Sequence, residues 1–325
     1  MSGAVRDSPE HAPSDLWVVG NVLIDLMMKG VPEIPRWGEE VLAASRSQQI
    51  GGQGANLARA AVRFGLSTTL ASVVGDDEPG TRIRETLAAD GISTEALEVV
   101  PGNTGFAVAA VREDGERAFI TDLGCSGALT VESVLQHARA LKRSRSIALV
   151  GTSNLPGVSL AAAARLLAEA KGSGVLTVFD PGWGQDIRSG RDLDAILEAT
   201  DVFLPNRDEA QAMTGHSDIR AILEELRSRS PGAVIVTCGE EGSVTLDGDT
   251  PVMVEALPVH VDNAVGAGDV FAAGVISGLL DEGDLVGAVV RGTAAAASYV
   301  SRSEERCEAI GTWRELAADV TVHRL

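Results

Sequence analysis

The chain has 325 residues, of which 45% are hydrophobic and only 3% aromatic, and a formal net charge of −19. That length accommodates one large α/β domain or two small ones, with an aliphatic core of the kind that buried parallel strands form with flanking helices. So acidic a surface serves solubility and repels nucleic-acid backbones and anionic membranes, which argues against both as partners.

Residues 1–15 are polar, with Pro9 and Pro13, and read as a mobile tail ahead of a domain over 16–325. Residues 16–22 form a short apolar run ending at Gly20 and Asn21, a buried strand. From Lys29 to Ser47 the chain is polar and punctuated by Gly and Pro, fitting neither a helix nor a central strand. The apolar stripe of Ala55, Leu57, Ala58, Ala61 and Val62 predicts a helix over 54–64. A strand follows at 69–74, then a helix that starts near Pro79 and runs through Leu87. The runs 106–111 and 117–121 flank Glu113-Asp114-Gly115, whose Asp-Gly pair signals a hairpin.

Beyond about residue 130 the alternation is regular. Short β-rich runs at 147–150, 175–179, 202–204 and 233–237 are separated by helical stretches, the clearest at 160–170. This is the pattern of βαβ units. A late hairpin is expected at 243–246 and 252–256, and helices at 269–280 and 285–300 end the fold. The expected architecture is α/β: a doubly wound, mainly parallel sheet flanked by helices. Two β-like insertions, at about 26–50 and 93–123, project from it and either build a small lid or form two unrelated surface loops. The three cysteines, Cys125, Cys238 and Cys307, are scattered and odd in number. They point away from a disulfide framework or zinc site and towards a reducing cytoplasm. Neither a signal peptide nor a transmembrane run of about 18 apolar residues is visible.

The strongest chemical signal is Gly266-Ala267-Gly268-Asp269, which opens a helix. Small residues let backbone amides crowd an anion, and the helix N-terminus adds its dipole. A carboxylate beside such a turn is costly unless it accepts a proton or binds a cation. Phosphoryl transfer needs that combination: donors for phosphoryl oxygens and an acceptor for the attacking hydroxyl. The same residues also fit a plain tight turn with an Asp in the first helical turn. Gly51-Gly52-Gln53-Gly54-Ala55-Asn56 opens another helix, with glycines for close approach and Gln53 and Asn56 as partners for hydroxyl groups. A capped helix after a Gly-rich loop would look alike. Neither Gly-x-Gly continues as a dinucleotide fingerprint, since Leu57 and Phe271 occupy the third slot. No lysine precedes Ser or Thr, so a P-loop is excluded. Asn206 and Glu209, at helical spacing, suit hydrated Mg²⁺ or a phosphate, or equally an N-capped helix. Thr237, Gly239 and Gly242 leave a strand and can wrap a nucleotide or merely turn a corner.

Together these segments resemble the ribokinase-like (PfkB-type) carbohydrate kinases. The resemblance rests on residues 51–65, on 266–269 with its helix, on Asn206/Glu209 and Thr237/Gly239/Gly242 in family order, and on Gly20, Asp25 and Thr104-Gly105. It covers essentially residues 16–310. The resemblance implies an ATP-dependent kinase that phosphorylates a sugar or sugar derivative, with Asp269 taking the hydroxyl proton; a nucleoside is the alternative acceptor, and a non-catalytic sugar sensor of the same fold is the alternative of another class. By the same resemblance, the amides of Gly266, Ala267 and Gly268 meet the moving phosphoryl. Asp25, Gly51, Gly52, Gln53 and Asn56 hold the acceptor. Asn206, Thr237, Gly239, Gly242 and Gly268 bind ATP, and Glu209 holds Mg²⁺ through water. Asn263 stands where the family places an acidic residue that helps bind a monovalent cation, which bears on activation by K⁺. Leu23 and Thr152-Ser153-Asn154 replace residues with which ribokinases proper hold ribose, so the acceptor implied is not plain ribose. A cytoplasmic homodimer joined through lid strands completes the expectation.

Overall fold

The computed structural model describes residues 13–113, 116–182, 191–261, 264–281, 283–301 and 310–325. Two sheets organise them. The larger has the strand order β14-β13-β12-β11-β10-β9-β8-β1-β4-β5. Its members are β1 (Leu16–Val19), β4 (Thr68–Gly75), β5 (Leu97–Val100), β8 (Ser146–Val150), β9 (Leu176–Asp180), β10 (Val202–Phe203), β11 (Ala233–Thr237), β12 (Ser243–Asp247), β13 (Thr250–Val254) and β14 (Val322–Arg324). The pairings from β5 to β11 are parallel, and those from β11 to β14 antiparallel. This is the doubly wound, mainly parallel α/β body expected, with helices on both faces.

The alternation of β1 shows why two helical layers are needed. Leu16 and Val18 join one apolar cluster, with the helices Gln53–Arg63, Ala267–Asp281 and Leu285–Val300. Trp17 and Val19 join another, with Leu160–Lys171, Arg191–Glu198 and Ile219–Arg229. Every residue of β1, β4 and β8 is buried, as both-face coverage requires. Two helices on the first face meet backbone to backbone: a Cβ added at Gly274 would lie 2.7 Å from the Gly292 Cα.

The smaller sheet, β3-β2-β6-β7, is built from β2 (Leu23–Lys29), β3 (Ser45–Gly51), β6 (Gly105–Val111) and β7 (Arg117–Asp122). It stands over one end of the body as the expected β lid. Leu97–Val100, inside the segment 93–123, instead extends the body sheet beside β4. Thr104 anchors the lid where β6 begins: its Oγ1 donates to Asp77 Oδ1 at 2.6 Å and accepts from the Gly75 amide at 2.9 Å. The hairpin turn at Asp114-Gly115 and Cys307 lie outside the described residues, as do residues 1–12. Ser14 and Asp15, assigned to the tail, are tied to the body instead. Ser14 Oγ lies 2.7 Å from Thr69 Oγ1, and Asp15 accepts from Ser67 and Arg145.

The expectation that helices end the fold is corrected. After Leu285–Val300 come a short helix, Trp313–Ala317, and β14, which pairs with β13 and gains its order from that long-range ladder. No helix among the described residues is long and apolar enough to cross a membrane.

Candidate active site

Strand order reverses at β1, which pairs with β4 on one side and β8 on the other. Open α/β sheets bind ligands beyond the carboxyl ends of strands at such a switch point. The polar residues leaving these strands gather there: Asn21 after β1, Asn154 after β8, Asp180 ending β9, Asn206 after β10 and Thr237 ending β11. All line one cleft of about 540 Å³, which the lid completes with Asp25, Arg117, Phe119 and Thr121.

Asp269 sits in the first turn of Ala267–Asp281, only 6% exposed, and accepts a hydrogen bond from Asn56 Nδ2 at 2.9 Å. The two glycine-containing turns, 213 positions apart, are thereby joined across the cleft. Burial pushes the Asp269 carboxyl up to about 7, against the Asn56 hydrogen bond, and the charge of Asp25 adds to the rise. A carboxyl near neutrality that lines a cleft is suited to accept a proton. Gly266 reaches φ 86°, which brings the preceding loop to the helix end. The Ala267 amide donates to the Ala264 carbonyl at 3.2 Å, so that member of the expected amide set is already engaged. Among the described residues the amides of Gly266, Gly268 and Asp269 have no acceptor.

The Gly51–Asn56 turn is shaped by contact. A Cβ at Gly51 would lie 1.9 Å from Asp25 Oδ2, so only glycine leaves the carboxylate its place. Gly52 has φ 91° and crosses over the Asn21 carbonyl. Asn21 clamps the turn twice: its Oδ1 accepts from the Gln53 amide and its carbonyl from the Gly54 amide, both at 3.1 Å. The Gln53 amide group lies against Gly151 and Gly182. Asp25, 5% exposed, is pushed up to about 6 by burial, with a Gln49 hydrogen bond opposing.

A second cavity of about 670 Å³, lined by Gly239, Gly242, Thr293 and Ala297, adjoins the first and shares Thr237, Ala264, Gly268 and Phe271 with it. The two cavities adjoin along these four residues, of which Gly268 precedes Asp269 in the chain. Asn206 and Glu209 bear out the N-cap reading. They form a capping box, Asn206 Oδ1 accepting from the Glu209 amide at 2.9 Å and Glu209 Oε2 from the Asn206 amide at 2.8 Å. They also line the cleft. Burial pushes Glu209 up, against those hydrogen bonds. Asn263 and its neighbour Asp262 lie outside the described residues.

Comparison with known proteins gives the family. A family model described as pfkB family carbohydrate kinase matches residues 14–307. The chain belongs to the pfkB family of carbohydrate kinases. It is 28% identical over 294 residues to a ribokinase of Haemophilus influenzae, across 88% of this chain and 92% of that one. It is also 28% identical over 290 residues to a nucleoside kinase of Methanothermobacter thermautotrophicus, across 89% and 90%. A solved ribokinase of Arabidopsis thaliana, complexed with ribose and ATP, superposes with a TM-score of 0.78 at 22% identity, covering 94% of this chain and 99% of that one. The protein is an ATP-dependent carbohydrate kinase in the broad sense that spans sugar and nucleoside acceptors.

The sequence reading of this pfkB kinase missed several lining residues. Asp180 is the most telling. Its carboxyl is pushed well above the usual range by burial and by the charges of Glu209 and Asp269, which line the same cleft. Its signal was positional, an acidic residue at the carboxyl end of a parallel strand. Asn21, Arg117 and Phe119 were also missed. Among the aromatic side chains, Trp17 is core at 1% exposure, Trp37 is fully exposed, and Phe106 packs against the core. Phe119 is the lid aromatic that reaches the cleft. Among the described residues no three acidic, His or Cys side chains cluster closely enough to hold a metal unaided.

Proposed function

We propose that this enzyme transfers the γ-phosphoryl of MgATP to a hydroxyl of a sugar or sugar derivative, with Asp269 as the general base. The supporting observation is a buried, proton-ready carboxylate that lines the cleft next to Gly268, a residue both cavities share. The acceptor hydroxyl gives its proton to Asp269 and its oxygen bonds the γ-phosphorus. The bond from that phosphorus to the β-bridging oxygen breaks, its electron pair leaving with ADP. The open amides of Gly266 and Gly268 receive the moving phosphoryl oxygens, with the Ala267 amide joining only by leaving Ala264. Asp25, Gly52, Gln53 and Asn56 orient the acceptor, with Gly51 making room for Asp25. Asn206, Thr237, Gly239 and Gly242 hold the nucleotide. Asp180 and Glu209 would hold Mg²⁺ through water, and the ion when bound offsets phosphate charge in this acidic groove. Asn263, in place of the acidic residue that helps hold a monovalent cation in the family, argues against activation by K⁺.

A nucleoside acceptor is the second reading, and Phe119 favours it, since its ring offers a stacking wall in the cleft. A cytoplasmic homodimer is also proposed. Leu26, Val108 and Ile120 are paired across β2, β6 and β7 on the face opposite Asp25, and Ile120 is 75% exposed. A second copy of this face would cover them. Light scattering of Ile120→Lys tests this, and a wild type that stays monomeric refutes it. ADP release across sugars and nucleosides, with and without Mg²⁺ and K⁺, tests the activity. Silence with every acceptor would overturn the catalytic reading.

A further inference from the structure

The cleft is uneven in charge. Asp25, Asp180, Glu209 and Asp269 all line it, and Arg117, the first residue of β7, is the one cationic side chain that does so among the described residues. The chain carries 46 acidic residues against 27 basic ones, and its arginines are commonly paired, as Arg207 is with Glu241 and Arg229 with Asp194. Arg117 has no hydrogen-bond or ion-pair partner among the described residues. Strand alternation puts it on the face of β7 that carries Phe119 and Thr121 into the cleft.

Register fixes where that charge lies. Thr121 pairs with Ala107, which pairs with Asp25, so these three share one row across the lid. Arg117 is four residues further along β7, roughly 13 Å from that row at the rise of a strand. The carboxylates gather with Asp25 and Asp269, and the guanidinium stands in another row, which also carries Lys29 through Val111; of those two cations it is Arg117 that lines the cleft. An anionic group on the acceptor, with no metal ion to offset its charge, is repelled by the carboxylates and received by the guanidinium. Guanidinium offers a planar fork that fits carboxylate and phosphate alike, with two parallel N–H donors.

We propose that the acceptor of this kinase is an anionic sugar derivative, a sugar acid or a sugar phosphate, whose carboxylate or phosphate is bound by Arg117 while a hydroxyl at its far end meets Asp269. This deepens the kinase reading and rests on it. It also orients the acceptor: the hydroxyl that is phosphorylated is remote from the anionic group. Arg117 is thus a specificity residue.

The test is ADP release by wild type, Arg117→Gln and Arg117→Lys with neutral pentoses and hexoses, their aldonates, their phosphate monoesters, and nucleosides. An anionic compound is expected to give the highest kcat/KM, and the aldonate and phosphate arms show which anion. Arg117→Gln should lower the ratio of anionic to neutral kcat/KM about 10- to 100-fold, the usual scale for a charge-assisted hydrogen bond, mainly through KM for the acceptor. Arg117→Lys should restore part of it. The proposal is overturned if a neutral sugar or nucleoside is the best acceptor, if Arg117→Gln slows neutral and anionic acceptors equally, or if it raises KM for ATP instead. Silence from every compound means that the kinase reading has failed. Calorimetric titration with the same panel then judges the anion site separately: Arg117-dependent binding of the anionic members supports it, and absence of such binding ends it.

Discussion

The body sheet and the lid sheet use the same hydrogen-bonded ladder under opposite conditions of burial. β4 is buried along all eight residues, whereas all six residues of β7 are exposed. In the body, side chains on both faces of the sheet are committed to packing, so cleft-lining groups emerge where strands end, as Asn21, Asp180 and Thr237 do, and where helices begin, as Asn56 and Asp269 do. In the lid, one face is free, so functional groups sit along the strand, as Arg117, Phe119 and Thr121 do. The body fixes a few groups in place for chemistry. The lid displays groups that can be exchanged without rebuilding a core, which is where acceptor choice can vary among proteins of one fold.

The sharpest way to break this division is at Asp269. Asp269→Ala should lower kcat by about 10²–10⁴-fold, the usual worth of a general base, with circular dichroism unchanged. Asp269→Asn adds a stability test. The folded carboxyl titrates near 7 and the unfolded one near 3.8, so the folded state holds the proton more tightly. Stability contributed by this group is present at low pH and is lost as pH rises from about 4 to about 7. The variant should therefore melt several degrees above wild type at pH 8 and level with it at pH 4.

Gly51→Ala comes next. Its backbone needs no left-handed conformation, so the damage must come from the added Cβ striking the Asp25 carboxylate. A loss of about 100-fold in kcat/KM for the acceptor is expected, since displacing a positioned group by an ångström costs on this order. The loss should nearly vanish when Asp25 is already Ala, and full additivity would show that the two do not interact.

A pair of phenylalanines sharpens the contrast in stability. Phe179 is fully buried and stacks on Phe203 with centroids 5.6 Å apart; Phe179→Ala should cost about 3–5 kcal/mol in urea unfolding. Phe119 is 46% exposed, and Phe119→Ala should cost under about 1 kcal/mol while raising KM for the acceptor. Equal costs would mean that the lid is as tightly packed as the body.

The smallest expected effect is on pH dependence. The acid limb of kcat/KM should fall near pH 7, where Asp269 loses its ability to accept a proton. Removing the Asp25 charge, which helps raise Asp269, should move that limb to lower pH in Asp25→Asn. A shift to higher pH would contradict the assignment.

The body was legible in sequence because its strands are apolar on both faces and bounded by glycines and helices; β11 and the helix Leu285–Val300 lie where the pattern puts them. β3, Ser-Arg-Ser-Gln-Gln-Ile-Gly, was not, because a strand that packs little has no apolar alternation to betray it. β5 and β14 are short and owe their order to neighbours distant in sequence. The site divides the same way. Asp269, Asn56 and the glycine turns are announced by local composition, since close backbone approach demands particular residue types. Asp180 and Arg117 are ordinary in their local sequence. Sheet topology alone makes them part of the cleft.

The seating of Gln53 carries one last consequence. Its Oε1 lies where a Cβ at either Gly151 or Gly182 would intrude, at 2.3 and 2.6 Å. Three loops from separate parts of the sequence are keyed to one side chain. A lineage that remodelled the floor of this pocket for a new acceptor would have to alter all three positions in concert, and a longer residue at 53 introduced alone would jam the lock rather than recut it.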